Sequence, residues 1–153
     1  MPKVLLPVSH LKQKGDGDCL AACAAMVLEF IDRGIDYSQV AQLLKIRNFG
    51  APASNIRLIT QLGLSVTYSV TDVDGLFRML DNGQPVIAFV RTGDLPYWAY
   101  QTDHAVVVVG YDVEGQVIYL NDPYFDQAPI DVPRGYFELA WLERDYHFAT
   151  ISI

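Results

Sequence analysis

Asp18-Cys19-Leu20-Ala21-Ala22-Cys23-Ala24-Ala25-Met26-Val27-Leu28-Glu29-Phe30 is the stretch on which the reading of this chain turns. A turn, Lys14-Gly15-Asp16-Gly17, runs directly into an Ala-rich apolar helix, and a cysteine stands at the junction. The first N–H groups of a helix have no partner within it, and the macrodipole adds partial positive charge there. A thiol at that point is biased toward thiolate, its reactive form. The competing expectation is a buried cysteine acting as a small hydrophobe. Cys23, one turn on, shares a stripe with Leu20, Val27 and Phe30 and reads as core. A Cys19–Cys23 bridge would distort the helix, because disulfide geometry is narrow, and two reduced thiols fit a cytoplasmic location.

The composition sets the frame around that helix. With 153 residues, 51% hydrophobic and 19% charged, the chain reads as one globular domain over residues 1–153, long enough to bury a core. A net charge of −7 argues against nucleic acid and anionic membrane as partners. No run has the length of a membrane span, and Val4-Leu5-Leu6-Pro7-Val8 is too short for a signal-peptide core. No Cys/His spacing suggests a metal site and no glycine-rich phosphate loop appears, so no cofactor is expected.

Outward from the first helix, the periodicity predicts helices first and sheet second. Met1 to Lys14 reads as an extended lead-in, since Pro2 and Pro7 bar an early helix. The first helix is expected over Cys19–Arg33 with Gly34 as its left-handed stop, and a second over Ser38–Ile46. A third is expected over Ser54–Leu62, with Ser54 as N-cap and Gly63 as stop. Leu64–Val70 alternates as a half-buried strand. Thr71 or Asp72 caps a helix ending near Leu80. The apolar runs Pro85–Val90, His104–Tyr111 and Gln116–Leu120 predict strands, followed by a helix over Tyr136–Leu142 and a last strand over Tyr146–Ile153. The sum is an α+β architecture with a helical lobe packed on a largely antiparallel sheet.

Three further positions bear on Cys19. His104 opens the valine strand within Asp103-His104-Ala105-Val106-Val107, and an imidazole suits proton transfer to and from a thiol near neutrality. Asp122, in Asn121-Asp122-Pro123, falls near the same sheet end as His104 if the two strands form a hairpin, where its carboxylate could fix the ring. Alternatively, Asn-Asp-Pro is a plain turn. Gln13 carries an amide N–H that could stabilise an oxyanion together with the Cys19 N–H.

The order Gln13, Cys19, His104, Asp122 resembles that of papain-like cysteine peptidases. More closely, the chain resembles the bacteriocin-processing family, whose members cleave leader peptides after a double glycine. The shared motifs are Asp18-Cys19 with Cys23 four residues on, Asp103-His104 through Gly110-Tyr111, Asp122-Pro123, Gly83-Gln84-Pro85, and the Phe137 to Trp141 ending. The resemblance implies a papain-like fold and a cysteine peptidase with a peptide or protein substrate. It also implies Cys19 as nucleophile, His104 as acid and base, Asp122 as orienting carboxylate and Gln13 as oxyanion donor. Two features depart from the family pattern. Leu20-Ala21 stands where members often carry Gly-Pro or Gly-Leu, and the leader-cutting members are usually fused to a membrane transporter, whereas no transmembrane segment is expected within these residues.

The same thiol could serve acyl transfer to an amine or thiol, and a third alternative is a non-catalytic peptide-binding module. The aromatic loop Leu95-Pro96-Tyr97-Trp98-Ala99-Tyr100 could wall a cleft or pack as a lid on the sheet. Asp94, Asp103 and Asp126 could favour a cationic substrate or be plain surface, and His10 and His147 read as structural.

Overall fold

The computed structural model describes residues 3–153; Met1 and Pro2 of the expected lead-in lie outside them. The elements, in chain order, are β1 (Lys3–Leu5), α1 (Cys19–Phe30), α2 (Tyr37–Leu43), a 3-10 helix (Ala53–Leu62), β2 (Ser65–Val70) and α3 (Val73–Asp81). They continue with β3 (Val86–Arg91), a short 3-10 turn (Thr92–Asp94), β4 (Asp103–Asp112), β5 (Val117–Asn121), β6 (Ile130–Pro133), α4 (Arg134–Leu142) and β7 (His147–Ser152). The strands form one antiparallel sheet in the order β2-β7-β3-β4-β5-β6. β1 pairs with β4 beyond the end of β3, along the same flank.

Helices cover both faces of this sheet. α1, α2 and the long 3-10 helix pack on Ile87, Phe89, Ala105, Val107 and Val109. On the other face, α3 and α4 pack on Val86, Ala88, Val90, Val106 and Val108. A strand buried on both faces has no reason to alternate polar with apolar, which explains the unbroken valine run of β4. Burial of Phe137 and Trp141, both at 0% exposure, seats α4, and the Trp141 indole N–H donates to the His147 carbonyl at 2.8 Å.

β4 carries a bulge between Val108 and Gly110. A Cβ at Gly110 would run into the Val4 carbonyl, so the close passage of β1 requires glycine there.

Several boundaries differ from the sequence expectation. α1 ends at Phe30 rather than Arg33, and the left-handed residue is Asp32 (φ 60°), not Gly34; Asp tolerates that conformation better than most side chains. α2 starts at Tyr37 and ends by Leu43, two residues before the left-handed Lys45. The third helix is 3-10 and starts behind Pro52 rather than at Ser54, while Gly63 (φ 79°) stops it as expected. Asp72 caps α3, its carboxylate accepting the Gly75 N–H at 2.8 Å. β1 and β6 had no separate signal in the sequence.

Candidate active site

Cys19 is the first residue of α1 and stands partly exposed in a cleft of about 410 Å³ that Gln13 and His104 also line. The helix entry is unusual in that Asp18 holds the N-cap position without its side chain capping α1. Its Oδ2 instead accepts the Gly15 N–H at 3.2 Å and the Tyr37 hydroxyl at 3.1 Å. The carboxylate thus fastens the turn before the helix to α2, and the first N–H groups of α1 are left for whatever occupies the cleft. Gly17 lets this turn touch the Arg47–Gly50 hairpin, since a Cβ there would meet Gly50 N at 2.6 Å and Asn48 O at 2.7 Å.

The sheet supplies the partner groups. Val107 pairs with Asn121 across β4 and β5, which brings His104 and Asp122 to one end of the hairpin. The His104 Nε2–H donates to Asp122 Oδ1 at 2.7 Å, with ring and carboxylate both buried. Three further donors converge on that carboxylate: the Tyr97 hydroxyl (2.7 Å) and Trp98 Nε1–H (2.9 Å) on Oδ2, and the Tyr124 N–H (3.0 Å) on Oδ1. The Trp98 ring also lies edge-on to the His104 ring, centroids 4.8 Å apart. A buried charge survives only when paired and hydrogen-bonded, and Asp122 meets both conditions.

The electrostatics follow from these contacts. Burial pushes the His104 imidazole toward its neutral form, but the hydrogen bond to Asp122 and the neighbouring Cys19 outweigh it. The ring's pKa rises from its ordinary 6.5 to about 9. For Asp122, burial works to raise the pKa, and the hydrogen bond and charge of His104, with Trp98 and Tyr97, override it and hold the value below 3.8. Burial first, then the Asp122 charge, push the Tyr97 hydroxyl far up, so it remains a donor. Cys23, at 0% exposure, has its thiol driven well above 9.0 by burial and stays protonated within the core.

Gln13 is buried on the cleft wall, where its amide nitrogen donates to the Gly15 carbonyl at 2.8 Å and the Asp16 carbonyl at 3.2 Å. Its backbone N–H donates to the Pro123 carbonyl at 2.7 Å, beside Asp122. The lead-in is laid along the same loop by two more bonds, Asn121 Nδ2 to the Val8 carbonyl (3.0 Å) and His10 Nε2 to the Phe125 carbonyl (2.6 Å). His147 bonds through Nδ1 to the Arg144 carbonyl at 2.9 Å. All four residues singled out in the sequence therefore meet at one site, Asp122 from behind the imidazole.

What sequence reasoning missed is the work of Tyr97 and Trp98. The aromatic loop does both things considered for it: Trp98 and Tyr100 line the cleft, while Leu95 is buried on the sheet. A signal for it did exist, since a buried Trp or Tyr seeks a partner for its polar tip and a buried carboxylate needs donors. Among the described residues, no group of three or more His, Cys, Asp or Glu is placed to hold a metal ion.

Residues 5–147 match the family model described as the Peptidase_C39-like family. The chain belongs to that family. It is thereby a thiol-dependent peptidase, and its architecture agrees with solved members. A candidate C39-like peptidase from Bacillus anthracis superposes with a TM-score of 0.81 at 18% identity, covering 100% of this chain and 98% of the other. The peptidase domain of Streptococcus ComA, a bifunctional ABC transporter, gives 0.77 at 18% identity, covering 95% and 98%. A double-glycine motif protease from an AMS/PCAT transporter, in complex with its leader peptide, gives 0.75 at 19% identity, covering 97% and 94%. Among curated proteins none matches the sequence. No helix of this C39-like chain is long and apolar enough to cross a membrane, among the described residues.

Proposed function

We propose that this C39-like chain hydrolyses a peptide bond through Cys19, His104 and Asp122, with Gln13 and the Cys19 N–H as oxyanion donors. The observation that carries the reading is the buried His104–Asp122 pair opening onto the cleft that holds Cys19. Asp122 occupies Nε2 of the ring, so Nδ1 is the nitrogen that serves the thiol. The Cys19 sulfur, its proton on His104, attacks the scissile carbonyl carbon. The oxyanion that forms accepts the Cys19 N–H at the start of α1 and one N–H of Gln13, the longer bond to Asp16 being the one given up. His104 then passes its Nδ1 proton to the amine as the C–N bond breaks, leaving a thioester on Cys19. Water attacks that thioester, gives a proton to His104 and releases the acid with the thiolate restored.

A peptide segment lying along the cleft is the proposed substrate, in keeping with the leader peptide held by the double-glycine protease of similar fold. The mechanism requires a reduced Cys19, which the cytoplasm would maintain. The test is hydrolysis of a peptide library by the protein and by Cys19→Ala. Cleavage that vanishes in the variant supports the reading, and cleavage that persists refutes it.

A further inference from the structure

The cleft is lined by three charged side chains that the hydrolytic machinery does not use, Asp16, Asp103 and Arg144, and only Arg144 is cationic. Arg144, in the loop between α4 and β7, lines the same cavity as Cys19 and His104. Its backbone is pinned: the N–H donates to the Trp141 carbonyl at 3.0 Å, and the carbonyl accepts the His147 N–H at 3.2 Å and Nδ1 at 2.9 Å. The guanidinium therefore projects from a fixed point, and its side chain is only 26% exposed. Its ion-pair partner among the described residues is Asp103, at 3.8 Å.

From the sequence, Asp103, the residue before His104, either favours a cationic substrate or is plain surface. Asp103 is closer to Arg91, whose Nε lies 3.3 Å from the same oxygen, so two guanidinium groups share one carboxylate. Asp103 also lines the cavity, but with Arg91 nearer to it the carboxylate is shared, and Arg144 is left only partly paired at the cleft. Asp16 also lines the cavity, but it belongs to the turn that accepts the Gln13 amide, on the opposite wall. A half-buried guanidinium with a single long partner keeps most of its planar donor fork free, and that fork matches a carboxylate.

We propose that Arg144 makes the cleft select substrates carrying a carboxylate near the scissile bond, either an Asp or Glu side chain or a free C-terminus. The inference rests on the peptidase reading above.

The test uses matched peptides with Glu, Gln or Lys at each position flanking the cleaved bond, each with a free or amidated C-terminus. The intact protein should cleave the Glu peptide about tenfold faster in kcat/KM than the Gln peptide at one position, the scale of a charge-assisted hydrogen bond. A preference that tracks amidation instead assigns the carboxylate to the chain terminus. Within Arg144→Gln the ratio should fall near one, and within Arg144→Glu the Lys peptide should become the better substrate. Protection of Cys19 from iodoacetamide by the same peptides gives the ratio without turnover, and thermal melting confirms that each variant is folded. An unchanged Glu-to-Gln ratio in Arg144→Gln, or a preference of the intact protein for Lys, overturns the inference and leaves the peptidase reading standing. If no peptide is cleaved and Cys19 is inert to alkylation, the peptidase reading fails and this inference falls with it.

Discussion

The two walls of the cleft are held in different ways. On the sheet wall, His104 and Asp122 are buried, and the carboxylate gathers donors at 2.7–3.0 Å from the ring, two aromatic side chains and a backbone N–H. On the helical wall, Cys19 and the turn before it are partly exposed and are fastened by longer bonds, 3.1–3.3 Å, around Asp18 and Tyr37. Short buried bonds fix a geometry, whereas longer bonds exposed to water can be exchanged at little cost. The acid–base half is thus preorganised in advance of substrate, whereas the turn around Asp18 that leads into Cys19 can adjust as a peptide enters, Gln13 itself being buried and held by bonds of 2.7 and 2.8 Å.

The contrast predicts a gradient of mutational effects, largest where the carboxylate is removed. Asp122→Ala leaves the Tyr97 hydroxyl, the Trp98 indole N–H and the imidazole unpaired, and denaturant unfolding should show a loss of about 3–5 kcal/mol. A loss below about 1 kcal/mol would mean that this wall is no more rigid than the other.

The pH dependence comes next. The pKa of His104 rises on folding from 6.5 to about 9. Its contribution is therefore fully present below pH 6.5 and is lost as pH rises through 9, on the order of 3 kcal/mol across that interval. The pKa of Asp122 falls on folding, so its contribution is present above 3.8 and lost as pH drops through the lowered value. Chemical unfolding at steps between pH 6 and 10 should show the alkaline fall in the intact protein and a smaller one in Asp122→Asn. Identical curves would separate the ring's proton from the carboxylate.

Trp98→Phe keeps an aromatic ring against His104 and deletes one donor to Oδ2. Stability should drop by about 1–2 kcal/mol, together with kcat. The smallest effect belongs to the helical wall: Tyr37→Phe removes the hydroxyl shared by Asp18 and the Lys14 N–H, and should cost about 1 kcal/mol or less. Its signature should be kinetic, a slower acylation with melting nearly unchanged. If Tyr37→Phe proved more destabilising than Trp98→Phe, the assignment of the two walls would have to be exchanged.

The difference between the walls also explains what could be seen in the sequence. Cys19 at a turn-to-helix junction, His104 at the mouth of a valine run and Asp122 at a strand end each occupy a position with a local pattern, and their order with Gln13 carried the resemblance. Tyr97 and Trp98 meet Asp122 across separations of 25 and 24 residues, and no local pattern encodes that contact. Arg144 was invisible for the same reason, since the sign of its surroundings depends on Arg91 and Asp103 arriving from two different strands. Among the fold elements, β6 has four residues and ends at Pro133, too few for a period to register. The long third helix carries the apolar spacing of an α-helix but winds as 3-10 between Pro52 and Gly63. The apolar strands β3 and β4 were legible because helices cover the sheet on both sides.

One measurement bears most directly on the central claim that Cys19 is a nucleophile served by the buried pair. Iodoacetamide is reacted with the protein at pH 7 and the modified cysteine is located by mass spectrometry, in the intact chain and in His104→Ala. Cys19 should be alkylated well ahead of the buried Cys23, and its rate should fall sharply when the imidazole is removed. Modification of Cys23 first, an inert Cys19, or an equal rate in His104→Ala would contradict the account.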